Sequence, residues 1–79
     1  MRLKVKLFSI LREYVTDYDP ELGLDVDLAP GARVSDLILH LKIPVEKAPV
    51  VSCDGRVLKA GDLLEDGSVI HLFQLVAGG

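Results

Sequence analysis

The chain has 79 residues, with 12 acidic and nine basic side chains, one cysteine, no tryptophan and a net charge of −3. This length predicts a single domain over residues 1–79, too small for a deep catalytic cleft beside a cofactor domain. The absence of a Lys/Arg cluster argues against nucleic acid as a partner, and the lack of an apolar signal core or long apolar run predicts a cytoplasmic protein with no membrane partner.

The first third of the chain predicts two strands joined by a polar connection. Leu3, Val5 and Leu7 alternate with charged residues, which is typical of a strand with one buried face. Residues 9–15 break this alternation and suit a short helical turn, and residues 17–21 are polar and contain a proline, as in a loop. A second alternation over residues 24–28 predicts a strand antiparallel to the first.

The rest of the chain predicts one helix and further strands. Apolar residues at 34, 37, 38 and 41 follow the spacing of a helix with one buried face, over about 34–42. Ser35 or Asp36 can accept unpaired backbone N–H groups at its start, and Pro44 lies just beyond its end. Strands are then predicted at 50–53, at 57–58 after the tight turn Asp54-Gly55, and at 69–76.

These elements predict an α+β fold in which a mixed sheet of four to five strands packs on one main helix. The last strand is apolar on both faces, so we expect it in the middle of the sheet. If it lies parallel to the first strand, the topology is a β-grasp, the fold of ubiquitin. The residues expected to form the core are Leu3, Val5, Leu7, Val26, Leu37, Ile38, Leu41, Ile70 and Leu72.

The sequence closes with Gly78-Gly79, directly after the last predicted strand, and residues 75–79 carry no charged side chain. We expect this segment to form a flexible tail. Glycine has no Cβ, so a two-glycine thread can enter a narrow enzyme channel and present an unhindered carbonyl for activation, for instance as an acyl-adenylate. Gly79, with Gly78 before it, is therefore the predicted reactive site.

Three segments carry a resemblance to a known family. Residues 5–13 (VKLFSILRE) are similar to the opening of MoaD, the small subunit of molybdopterin synthase, and residues 64–70 (LEDGSVI) to the family's approach to its last strand. Residues 72–79 (LFQLVAGG) instead resemble the tail of ThiS, the carrier for thiamin thiazole synthesis, since MoaD tails usually have Pro-Pro in place of Gln74-Leu75. The whole chain thus resembles the MoaD/ThiS sulfur carriers.

This resemblance implies a protein co-substrate and not a complete enzyme. An E1-like enzyme of the MoeB/ThiF type would adenylate Gly79 with ATP, and a sulfur donor protein would convert the adenylate to a thiocarboxylate. The acceptor would be the large subunit of molybdopterin synthase, which the longer MoaD-like stretch favours, or thiazole synthase. A protein modifier joined through Gly79 to lysines is the alternative from another class. No stably bound cofactor is implied.

Strand parity predicts a partner surface on the sheet face opposite the helix. It places Phe73 and Leu75 there as exposed apolar residues beside the tail, and Phe8 extends the patch. The tail residues Val76 and Ala77 would enter the partner enzyme. The resemblance places Arg12 near the partner surface, although a solvated charge on the helical turn is the alternative.

Other reactive side chains do not form a recognisable site in the sequence. Cys53 is interpreted as a small apolar residue and not as a sulfur relay. His40 and His71 lack the spacing of metal ligands, and the acidic residues 17–21 lack the glycine and glutamate of a calcium loop, so no metal site is predicted.

Overall fold

The computed structural model describes residues 1–47 and 49–74 of the chain, without the side chain of Val45. The elements, in chain order, are β1 (Arg2–Leu7), a 3-10 helix (Ser9–Tyr14), β2 (Leu24–Asp27), α1 (Val34–His40), a second 3-10 helix (Val45–Lys47), β3 (Pro49–Cys53), β4 (Arg56–Leu58) and β5 (Val69–Gln74). None of the helices in these two ranges has the length and hydropathy that crossing a bilayer requires.

The five strands form one mixed sheet in the order β2-β1-β5-β3-β4. β1 and β5 are parallel, with Val5 opposite Ile70 and Leu7 opposite Leu72, and the other three pairings are antiparallel. The first and last strands are therefore parallel neighbours, and β5 lies in the middle. The predicted α+β class and β-grasp topology are confirmed.

The core fills the space between one face of the sheet and α1. Alternate residues of β1 and β5 point into it and are buried, as is Leu37 of the helix. Eight of the nine predicted core residues are buried, and the ninth, Ile38, is half-buried against them. The structure adds residues from loops and other elements to this core, namely Leu11, Ala32, Val34, Ile43, Val51 and Leu64.

The helix begins as the sequence predicts at Val34, but its first N–H groups are paired by a distant segment. Val34 N donates to the carbonyl of Asp62 and Ser35 N to the carbonyl of Ala60, both at 3.0 Å. The Asp36 carboxylate accepts the backbone N–H of Arg33 at 2.8 Å, so this one of the two predicted capping residues does act at the helix start. The helix ends at His40, two residues earlier than predicted, because Lys42 adopts a positive φ of 60°.

The turn between β3 and β4 follows its sequence signature. Asp54 and Gly55 have φ angles of 53° and 78°. Positive φ at both central residues defines the turn that matches the twist of a two-residue hairpin. Cys53 and Arg56 therefore face each other across the hairpin, as the register shows.

The helix offers a matched test of the core. Leu37 is fully buried and Leu39, two residues away, is 75% exposed. We expect Leu37→Ala to lower the free energy of unfolding by about 2–5 kcal/mol through lost burial and a cavity. Leu39→Ala should change it by no more than about 0.5 kcal/mol. Urea unfolding of both variants measures this, and equal losses would contradict the assignment of the buried face.

Candidate functional site

The face of the sheet opposite α1 collects residues from four strands. In β1 and β5 these are the residues that alternate with the core positions, and the register places Lys6 opposite His71 and His71 opposite Ser52. On the far side of β3, Ser52 lies opposite Val57, which is 68% exposed. We call this set the outer face: Lys4, Lys6, Val50, Ser52, Val57, Val69, His71 and Phe73.

Charged residues of β2 and of the start of β1 border the outer face, and most of that charge is paired. The Lys4 ammonium lies 2.9 Å from the Asp25 carboxylate, and the Arg2 guanidinium 3.2 Å from Asp27. A hydrogen bond from Lys4, and then its positive charge, lowers the pKa of Asp25. These exposed pairs leave the β1–β2 side polar, while the β5 and β3 side carries aromatic and aliphatic groups.

An aromatic contact marks the end of the outer face where β1 finishes. The Phe8 and His71 rings meet edge to face, with centroids 5.6 Å apart and planes at 89°. Phe8 N donates to the carbonyl of Leu72 at 3.0 Å, so the backbone of Phe8 is held against β5. Phe8 remains 38% exposed beside His71, and its place in a partner-binding patch stays a prediction.

Arg12 lies on the 3-10 helix that follows Phe8 and is exposed. Its Nε donates to the carbonyl of Leu7 at 3.2 Å. The sequence analysis predicted either a partner-contacting residue or a solvated charge for Arg12. The structure adds a third role, because the guanidinium ties the 3-10 helix to the end of β1. Arg12 is therefore held by this hydrogen bond to Leu7, the residue before Phe8.

The remaining predicted site residues divide into two groups. Phe73 lies on the outer face opposite Val50 but is half-buried, whereas the sequence predicted it exposed. The others, Leu75, Val76, Ala77, Gly78 and Gly79, lie outside the described residues, so β5 is described only to Gln74.

The other reactive side chains are dispersed. Cys53 is half-buried and free, with its sulfur 3.8 Å from an Asp54 carboxylate oxygen. His40 and His71 are exposed on opposite sides of the molecule, on α1 and on the sheet. Within residues 1–47 and 49–74, no three His, Cys, Asp or Glu side chains are grouped to hold a metal ion.

The sequence interpretation missed Tyr18. Its hydroxyl lies 2.7 Å from Leu7 N and accepts that N–H, which links the loop after the first 3-10 helix to β1. The sequence did contain a signal for a structural role of this residue, because it is a single aromatic residue between two aspartates in a polar loop. A half-buried tyrosine hydroxyl usually has a hydrogen-bond partner.

Comparison with known proteins identifies the family. The sequence matches the model of the ThiS family over residues 5–79. The chain therefore belongs to the ThiS family, and its fold is that of the ubiquitin-like sulfur carriers of the MoaD/ThiS type. A search of curated proteins gave no match.

Solved structures of three proteins share the fold. A putative molybdopterin converting factor subunit 1 from Pyrococcus furiosus is 28% identical with a TM-score of 0.72, covering 95% of this chain and 98% of that one. Small archaeal modifier protein 1 from Haloferax volcanii is 21% identical with a TM-score of 0.72, at the same two coverages. A thiamine biosynthesis protein from Geobacter metallireducens is 21% identical with a TM-score of 0.53, covering 96% and 87%.

The Lys4–Asp25 pair gives a pH-dependent prediction. Lys4→Met should raise the pKa of Asp25 toward its ordinary value of 3.8, because the ammonium that favours the carboxylate is removed. The folded-state pKa is depressed, so the pair stabilises the fold above the unfolded pKa, and this is lost as pH falls through the folded-state pKa. NMR titration of the Asp25 carboxyl measures the shift, with Lys6→Met as the control that leaves it unchanged. An Asp25 pKa unaltered by Lys4→Met would contradict the pairing.

Proposed function

We propose that this protein carries sulfur as a thiocarboxylate on Gly79 and delivers it to a cofactor-synthesising enzyme. The observation that supports this most strongly is the family match, which runs from residue 5 through the diglycine at 78–79. A β-grasp body with a terminal diglycine combines a rigid surface for partners with a thin reactive thread. This protein then serves as a co-substrate, and the catalysts are its partners.

The proposed chemistry begins at a carboxylate, which is a poor electrophile. An E1-like enzyme joins the Gly79 carboxylate to the α-phosphate of ATP, and pyrophosphate leaves. The donor protein releases its sulfur as sulfide (HS⁻), which attacks the acyl carbon; AMP leaves, the sulfur loses its proton to solvent, and the thiocarboxylate remains. After the acceptor enzyme takes the sulfur, water restores the carboxylate. At each step the absence of a Cβ at Gly79 and Gly78 lets enzyme backbone approach closely.

The outer face supplies a surface for these partners. Phe8 and His71 form an exposed aromatic pair at the end of β1, and Phe73 lies one residue before the last described residue of β5. Aromatic residues in such positions often dominate binding energies. We propose that both the adenylating and the acceptor enzyme contact Phe8, Phe73 and the adjacent Arg12, with Leu75, Val76 and Ala77 following the tail into the enzyme.

The pathway that we favour is molybdopterin synthesis. The likeness to the Pyrococcus furiosus protein, at 28% identity and a TM-score of 0.72, supports it over the weaker likeness to the thiamine biosynthesis protein. The MoaD-like stretch at residues 5–13 points the same way. The ThiS-like tail favours thiazole synthesis, which is the alternative. The similarity to the archaeal modifier protein shows the fold alone, so lysine conjugation stands as an outcome of the tests below.

The sulfur chemistry is tested on the last residue. Incubated with its E1-like enzyme, ATP and a sulfur donor, the protein should gain the mass difference of sulfur for oxygen, located on its C-terminal fragment. Gly79→Val should block this by crowding the channel. One alanine added after Gly79 should also block it, because the carbonyl moves by up to about 3.5 Å and reaction geometry tolerates far less.

Controls separate this mechanism from its alternatives. Cys53→Ser should accept sulfur at the wild-type rate, and both variants at the Gly79 end should unfold at the wild-type urea concentration. The thiocarboxylated protein, mixed with each acceptor, should transfer sulfur to the large subunit of molybdopterin synthase and not to thiazole synthase. Sulfur found on Cys53, no adenylation, or products linked to lysines would contradict the proposal.

The partner surface is tested at Phe73. Phe73→Ala should weaken binding to the adenylating or the acceptor enzyme by about 1 kcal/mol or more, because the ring is a central aromatic contact. Val57→Ala, on the same face but at the far β4 edge, should bind as the wild type does. Calorimetric titration measures both, and the circular dichroism spectrum of Phe73→Ala should match that of the wild type. Unchanged affinity for both enzymes would contradict this surface.

A further inference from the structure

Among the strands that the structure describes, none pairs with the end of β1 on the side of β2. β2 pairs with β1 only as far as Leu24 opposite Val5, so the backbone of Leu7 extends beyond the paired region. Two side chains take the place of the missing strand. The Tyr18 hydroxyl accepts the N–H of Leu7 at 2.7 Å, and Arg12 Nε donates to the carbonyl of Leu7 at 3.2 Å.

The other side of the same segment is held by β5. Phe8 N donates to the carbonyl of Leu72 at 3.0 Å, so hydrogen bonds reach Leu7 and Phe8 from both sides. The chain turns sharply afterwards, since Ser9 has a positive φ of 57°. The 3-10 helix then starts, with Leu11 N donating to the carbonyl of Phe8 at 3.2 Å. The backbone that carries the Phe8 ring is therefore held by hydrogen bonds to Tyr18 on one side and to Leu72 on the other.

We propose that Tyr18 is a positioning residue for partner binding, and that its hydroxyl fixes the Leu7-Phe8 backbone so that the Phe8 ring stays against His71. This rests on the proposed function, in which Phe8 contacts the partner. Without the hydroxyl, Leu7 N loses this hydrogen bond on the side where β2 has ended, and the turn that carries Phe8 samples other orientations. The fraction of molecules with Phe8 ready to bind then falls, and apparent affinity falls by the same factor.

The test compares the two tyrosines of the chain. Tyr18→Phe removes only the hydroxyl and keeps the ring, which packs against the core. Tyr14→Phe makes the same change at a tyrosine that also packs there and whose hydroxyl makes no hydrogen bond within residues 1–47 and 49–74. We expect Tyr18→Phe to bind the E1-like adenylating enzyme about threefold to tenfold more weakly, the range typical for one lost hydrogen bond. Tyr14→Phe should bind as the wild type does.

A double-mutant cycle distinguishes positioning from general loosening of the fold. If Tyr18 acts through Phe8, Tyr18→Phe should have almost no further effect in the Phe8→Ala background. Amide exchange at Leu7 should also become faster in Tyr18→Phe, by about tenfold, while exchange at Val5 and Ile70 keeps its wild-type rate. The exchange data come from the free protein, so they test the contact independently of the partner.

Several outcomes would overturn the inference. Wild-type affinity of Tyr18→Phe, or a loss that persists in full in the Phe8→Ala background, contradicts positioning through Phe8 alone and leaves the proposed function intact. An unfolded Tyr18→Phe would show that the hydroxyl determines the fold instead. If the wild type itself neither binds the adenylating enzyme nor is adenylated, the proposed function fails, and this inference fails with it.

Discussion

The parallel pairing of β1 with β5 is the contact on which the rest of the structure depends. It joins the first and the last strand of the sequence, and its residues Val5, Leu7, Ile70 and Leu72 are almost wholly buried. β2 attaches to β1 and β3 attaches to β5, so both outer parts of the sheet depend on this central pair. Such long-range pairing has to overcome the entropy of closing a long loop, and the apolar burial on α1 provides the compensating free energy.

The same pairing creates the proposed partner surface. Because side chains alternate along a strand, burying Leu7 and Leu72 on one face directs His71 and Phe73 to the other. The parallel direction places the end of β1 beside the later part of β5, which brings Phe8 against His71. The aromatic residues of the outer face therefore lie along the strand that leads to the tail. In the proposed mechanism, a partner that binds this face is positioned to receive Gly79.

Local sequence patterns predicted the elements, and long-range contacts account for most of what they missed. The alternation of β1 and the helical spacing from Val34 are local signals, and both correctly identified the buried faces. Leu11, Ile43 and Leu64 joined the core from segments without periodicity, so only the closed tertiary structure could place them. The pairing of the first helix N–H groups with carbonyls at 60 and 62 is equally non-local. The hydrogen bond between Tyr18 and Leu7 is also non-local, although the isolated aromatic residue could be noticed in the sequence.

In the candidate site, too, some features were predicted from the sequence and others depend on the tertiary structure. The diglycine and the resemblance to MoaD and ThiS were both identified in the sequence, and the family match supports them. Phe73 was predicted exposed from strand parity, yet it is half-buried, because parity assigns a face and does not fix the neighbours that cover it. The pathway is determined by which acceptor enzyme binds this protein. The sequence of the carrier specifies its own binding surface and not the shape of that enzyme.

We expect partners of this carrier to bind the β5 side of the outer face, around Phe8, His71 and Phe73, and the tail, while the helix side stays free. NMR of the labelled protein, alone and with its E1-like adenylating enzyme, tests this most directly. We predict that signals of Lys6, Phe8, His71 and residues 73–79 lose intensity on binding, while those of Ser35 and Leu39 on α1 keep theirs. Loss confined to the signals of α1, with the outer face unchanged, would contradict it.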